Sequence, residues 1–199
     1  MSNISFFKKY ADVFKAIIVL TAVCLVISAA LALTNDITKD KIAEIEEATA
    51  NSAMSALIKG DKYDAMTDQI YGVTEQGVLK GYIITTSAKG YGGDVKVMTA
   101  ISPDKKIIGI NILSAADETP GLGQNATKPG FYEQFIGKTA GVTVVKNGAK
   151  DNEIKAVTGA TITSRAVTTA VNEAFEIFNE YLKIGDSMVA PIPENTEVQ

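Results

Sequence analysis

The chain has 199 residues, 46% hydrophobic and 21% charged, with five prolines and no long biased tract. That leaves room for one globular domain and a short appendage, and excludes disordered or collagen-like structure. Nineteen Lys and Arg against 23 Asp and Glu give a net charge of −4 without a basic cluster, so no nucleic-acid partner is expected. With no histidine and one cysteine, the chain lacks the commonest general base and metal ligand and cannot form an internal disulfide; neither a catalytic constellation nor a metal site is expected.

The first element is an apolar run. Ala16 to Leu33 is 18 residues without a charge, and as a helix it measures about 27 Å, close to the thickness of a bilayer core. Lys8, Lys9 and Lys15 precede it, whereas Asp36, Asp40, Glu44, Glu46 and Glu47 outnumber Lys39 and Lys41 after it. The Lys/Arg bias therefore predicts a single-pass protein of the cell membrane. Residues 1–15 are cytoplasmic, residues 16–35 span the bilayer, and the rest is extracytoplasmic. Phe6, Phe7 and Tyr10 read as an interfacial anchor and Cys24 as a small apolar residue in the span. The competing reading is a cleaved signal peptide, since Ala30-Leu31-Ala32 fits a small-x-small site.

Residues 36–60 predict a juxtamembrane helix, from about Ile37 to Ile58, capped by Asn35 or Asp36 or continuous with the span. Residues 61–185 form the soluble domain. From about Ile70 to Leu113, alternation such as Val95, Val97, Thr99, Ile101 and Ile108, Ile110, Ile112, punctuated by Gly and Pro-Asp, predicts a β-meander with a buried face. A Pro/Gly loop over Glu118–Gly123, a short helix around Phe131–Phe135 and short strands near Val142–Val145 and Ile154–Val157 follow. A helix from about Thr163 to Lys183 carries Ala166, Val167, Ala170, Val171, Ala174, Phe175, Phe178 and Leu182 on one face, which should lie on the sheet. Residues 186–199 are expected to form a flexible tail. The element order predicts an α+β fold, an antiparallel sheet packed by helices behind one transmembrane helix.

The stretch Ala156-Val157-Thr158-Gly159-Ala160-Thr161-Ile162-Thr163-Ser164 reads as a strand end passing through a small-residue turn into a capped helix. Such a turn lets backbone approach an anion at the positive end of a helix. A plain turn with ordinary Thr/Ser capping is the alternative.

Thr158-Gly159-Ala160-Thr161 resembles the flavinylation motif of the FMN-binding domain family. That family is found in the G subunit of the Rnf electron-transport complex and the C subunit of the sodium-translocating NADH:quinone oxidoreductase. Gly90-Tyr91-Gly92-Gly93, Glu118-Thr119-Pro120-Gly121-Leu122-Gly123 and Phe131 to Lys138 are similar to the same domain in order and spacing. The chain departs from the family at Lys155, where the motif has Asp, and at Ala116, where many members have His.

The resemblance implies that Thr161 carries FMN through a phosphoester made by a flavin transferase. It also implies that Thr158, Gly159, Ala160, Thr163 and Ser164 surround the phosphate. Leu122 would cover a ring face, Gly121 would shape the loop, and Glu118 or Thr119 would meet the ring edge. Arg165 is a further candidate for the phosphate, while Gly90, Gly92 and Gly93 read as turn residues. The implied function is electron relay, as a non-autonomous redox subunit of a ferredoxin:NAD oxidoreductase that moves ions across the bilayer, with the other membrane and redox subunits as partners. The rivals are the C subunit of the quinone reductase, a flavin-free assembly or scaffold protein, and a secreted carrier with exchangeable FMN.

Overall fold

The computed structural model describes residues 3–188; residues 189–199, most of the expected tail, lie outside the described residues. The chain divides into two units, Met1–Ala48 and Thr49–Gln199. The described residues of the first are helical, and helix α1 runs Asn3–Leu57, its last turns belonging to the second unit. No Gly or Pro occurs from residue 3 to residue 57, so nothing interrupts the backbone ladder. Of the two sequence alternatives the helix is continuous. Thr34 and Thr38, just after the uncharged run, turn their hydroxyls back onto the carbonyls of Ala30 and Thr34, at 2.9 and 2.8 Å, and cap nothing. Ile17, Leu20, Val26 and Leu33 are all more than half exposed, and the helix is long and apolar enough to cross a membrane.

The second unit is built on a five-stranded antiparallel meander in the order β1 (Lys62–Ala65), β2 (Ile70–Glu75), β3 (Val78–Lys89), β4 (Asp94–Ile101) and β5 (Ile107–Ser114). Gln76 and Gly77, both at positive φ (51° and 78°), close the β2–β3 hairpin in two residues, the geometry that matches strand twist. The first strand, β1, lacks the alternation that marks the others in the sequence; it lies at the sheet edge with a half-exposed pattern.

The two sheet faces have different covers. Val73, Ile83, Met98 and Ala100 pack with Ala53, Met54 and Ile58, at and just beyond the end of α1. The opposite face presents Tyr82, Ile84, Val95, Val97 and Ile101 to helix α3 (Thr161–Met188), whose Ala166, Val167, Ala170, Val171, Ala174, Phe175 and Phe178 are all buried. Thr86 Oγ1 donates to the Ala170 carbonyl at 2.8 Å, a polar pin between β3 and α3. Helix α3 starts two residues earlier and ends five later than its apolar periodicity suggested.

Between β5 and α3 lie a 3-10 turn (Gly123–Thr127), the one-turn helix α2 (Pro129–Tyr132), a second 3-10 turn (Glu133–Phe135), and the parallel pair β6 (Thr143–Val145) and β7 (Glu153–Lys155). Asn172 on α3 fixes the approach to β6: its Oδ1 accepts from the Gly141 and Val142 N–H groups and its Nδ2 donates to the Val142 carbonyl. The fold is therefore α+β, as the element order indicated.

Candidate functional site

The turn from β7 into α3 is held by its own small residues. Ser164 Oγ accepts from the Val157 N–H and donates to the Ala160 carbonyl, both at 2.9 Å, and Ala160 N–H reaches the Val157 carbonyl at 3.0 Å. Gly159 sits at φ +79°, a backbone conformation that favours glycine, and a Cβ there would lie 3.0 Å from the tip of the half-exposed Leu122 side chain. Thr161 is the first residue of α3, where the helix leaves N–H groups without intrahelical partners.

Glu118 ties three distant segments together. Its side chain is buried at 2% exposure; Oε1 accepts from the Tyr91 and Gly92 N–H groups at 2.8 and 3.1 Å, and Oε2 accepts from Thr163 Oγ1 at 2.5 Å. The Gly90–Gly93 turn, the Glu118–Gly123 loop and the first turn of α3 thus meet on one carboxylate. The glycines follow from that closeness: a Cβ on Gly92 would overlap the Asp117 carbonyl, and one on Gly123 would lie 2.5 Å from Glu118 Oε2 and 2.8 Å from Thr163 Oγ1.

Two cavities flank Thr161. One, of about 550 Å³, is lined by Tyr91, Glu118, Thr119, Leu122, Gly123 and Gly159–Thr163. The other, of about 410 Å³, is lined by Lys146, Asn147, Ala156–Gly159 and Thr161. Gly159 and Thr161 belong to both. The first is mainly apolar at its mouth, where Tyr91, Leu122 and Ile162 are 71%, 44% and 52% exposed.

The structure brings together Glu118, Thr119, Leu122, Gly159, Ala160, Thr161 and Thr163 on the larger cavity and places Thr158 on the smaller. Ser164 and Gly121 line neither: Ser164 closes the turn, and Gly121, at φ +76°, shapes the loop while its carbonyl accepts from Asn125 Nδ2. Arg165 is exposed and also lines neither. Lys155 faces a separate 220 Å³ cavity beside α2, its backbone bridged to Gln134. Ala116 offers its carbonyl to Gln124 Nε2 at 3.2 Å. Gly123 and Ile162 lie within the quoted motif stretches without a role of their own, and Tyr91, Lys146 and Asn147 are cavity residues that sequence reasoning did not single out. Tyr91 had a signal, its place inside a Gly-rich turn; Lys146 and Asn147 had none, since only the β6–β7 pairing brings them to Thr161.

Residues 90–176 match the FMN-binding domain family. The chain is 37% identical over 153 residues to the G subunit of the proton-translocating ferredoxin:NAD(+) oxidoreductase complex of Clostridium ljungdahlii, covering 76% of this chain and 82% of that protein. It is 35% identical over 196 residues to the G subunit of the Na(+)-translocating complex of Acetobacterium woodii, covering 86% and 94%. Among solved structures it is similar to the C subunit of the Na(+)-translocating NADH-quinone reductase of Parabacteroides distasonis, with 27% identity and a TM-score of 0.50 over 57% of this chain and 61% of that one. It shares the fold of Shewanella oneidensis NqrC, with 24% identity and a TM-score of 0.52 over 66% and 74%. The three sequence motifs, the α+β fold and these relatives agree: the chain belongs to the G-subunit family of ion-translocating ferredoxin:NAD oxidoreductase complexes and carries its FMN-binding domain.

Proposed function

We propose that the domain holds FMN covalently through Thr161 and relays electrons as a membrane-anchored subunit of an Rnf-type complex. The observation that carries this reading is the placement of the Thr161 hydroxyl where two cavities meet at a helix start. A phosphate there would face backbone donors and a favourable dipole. The residues fit the group. A cavity of about 550 Å³ is of ordinary cofactor size, and the Gly159–Leu122 approach leaves the floor free of side-chain bulk. Leu122 and Ile162 supply apolar wall for a planar ring, and Thr119 supplies polar groups at its edge.

The attached flavin would supply the redox chemistry, accepting and releasing electrons, which this histidine-free chain has no side chains to perform. The protein's part is to anchor, orient and exclude water. Glu118 fixes the first turn of α3 through Thr163, so Thr161 is presented in one position. Attachment would form a Thr161 Oγ–P bond as the phosphoanhydride of a flavin dinucleotide breaks, with the other half leaving as a nucleoside monophosphate and the hydroxyl proton passing to solvent; a separate transferase would perform it. The apolar span of α1 anchors the protein, with Lys8, Lys9 and Lys15 on the cytoplasmic side and the domain outside. The partners are the other membrane and redox subunits of the complex.

The test is denaturing-gel fluorescence of the chain produced with a flavin transferase. The wild-type band glows and the Thr161→Ala band is dark. A dark wild-type band favours the scaffold reading; flavin released on denaturation favours the exchangeable carrier.

A further inference from the structure

The two cavities beside Thr161 differ in charge. Among their lining residues, Glu118 is the one acid and Lys146 the one cation, and they lie on opposite sides, Glu118 on the larger cavity and Lys146 on the smaller. Lys146 takes part in no ion pair or hydrogen bond among the described residues. Its position is nonetheless fixed by the fold. It follows Val145, the last residue of β6, whose carbonyl accepts from the Ala156 N–H at 2.8 Å, so the peptide leading to Lys146 is bonded to the turn that carries Thr161. Asn172 holds the other end of β6 against α3.

We infer that Lys146 is the charge partner of the phosphodiester at Thr161, and that this pairing orients the cofactor with its phosphate toward the Lys146–Asn147 cavity and its ring toward Leu122. The inference rests on the proposed attachment. A phosphodiester keeps one negative charge. In the larger cavity that charge would face a buried carboxylate, where like charges repel most strongly because little water screens them. In the smaller cavity it meets an unpaired ammonium, a compact point charge suited to phosphate, and the Asn147 side chain can donate beside it. Arg165, the cation that the sequence offered for this task, faces neither cavity. The assignment gives a use to a lysine that is otherwise unexplained and leaves the apolar space to the ring.

The test is amine labelling of the full chain with acetic anhydride, followed by peptide mass spectrometry. The flavin-loaded protein is compared with Thr161→Ala. Labelling of Lys146 falls severalfold in the loaded chain while that of Lys150 and Lys155 is unchanged. In parallel, Lys146→Glu lowers the fraction of chain carrying flavin severalfold and Lys146→Arg restores it, with thermal unfolding unaltered. Equal labelling of Lys146 in a chain whose Thr161 peptide carries the flavin mass overturns the inference and leaves the attachment standing. Full loading of Lys146→Glu does the same. A Thr161 peptide without flavin mass removes the attachment and this inference with it.

Discussion

Helices α1 and α3 are both rich in Ala, Val and Ile, yet they spend that apolar surface differently. The span of α1 is apolar on every side and keeps its large side chains exposed, whereas α3 gathers most of its apolar side chains on one stripe, Ala166 to Phe178, that packs into the domain core, and leaves Ile162 and Ile184 outside it. Hydrophobic content alone does not say what a helix packs against; its distribution around the axis does. An all-round apolar helix needs a continuous solvent of its own kind, and a striped one needs a single partner face.

Substitutions sharpen this contrast. The largest effect is expected in α3: Phe178 is fully buried against Tyr82, ring centroids 4.9 Å apart, and Phe178→Ala should cost about 3–5 kcal/mol in denaturant unfolding of the domain. Val26→Ala in α1 should leave that unfolding unchanged, because Val26 belongs to the other unit and touches no core. A charge reverses the ranking. Leu25→Arg should weaken membrane insertion by about 2.5–3.5 kcal/mol, read as the fraction of chain in the membrane pellet, while the domain unfolds normally.

The next effect concerns the junction under the site. Glu118→Ala leaves the buried Thr163 hydroxyl and the part-buried Tyr91 and Gly92 N–H groups without their acceptor, and domain unfolding should show a loss of about 1–3 kcal/mol. Glu118→Gln should lose less, because Oε1 can still accept and the Thr163 hydroxyl can reorient. Equal losses in the two variants would mean that the carboxylate does not tie the loops.

The smallest effect is a pH dependence on the α3 side of the sheet. Burial, and then the neighbouring Tyr181, raise the Tyr82 phenol above its ordinary 10.0. The unfolded chain therefore loses this proton before the folded one does. The stability contribution is whole below about pH 10 and is lost as pH rises through the folded value. The unfolding midpoint should fall above pH 10, and Tyr82→Phe should flatten that fall.

Much of the fold is legible in the sequence because its signals are local. The period-two run in β4 and the stripe on α3 each encode a buried face without reference to the rest of the chain, whereas in β5 a register shift opposite Ala100 and Ile101 sets Ile108 on the face away from Ile110 and Ile112, which plain alternation groups together. The edge strand β1, with the pattern exposed at both ends, encodes none and escapes such a reading. The site is legible where motif residues contact the cavity themselves, as Thr161, Gly159 and Leu122 do. It is illegible where distant segments converge. Nothing near Glu118 in the sequence tells that its carboxylate will be spent on Tyr91, Gly92 and Thr163, 27, 26 and 45 positions away. Ser164 shows the opposite failure: its hydroxyl, read with the phosphate site, is consumed by the turn.

The central claim concerns one oxygen atom. The most direct measurement is the mass of the proteolytic peptide spanning Thr161, taken from the chain isolated out of its native membranes. The account predicts a gain equal to FMN less one water, localised by fragmentation to Thr161. An unmodified peptide, or the same gain on Thr158 or Thr163, would contradict it.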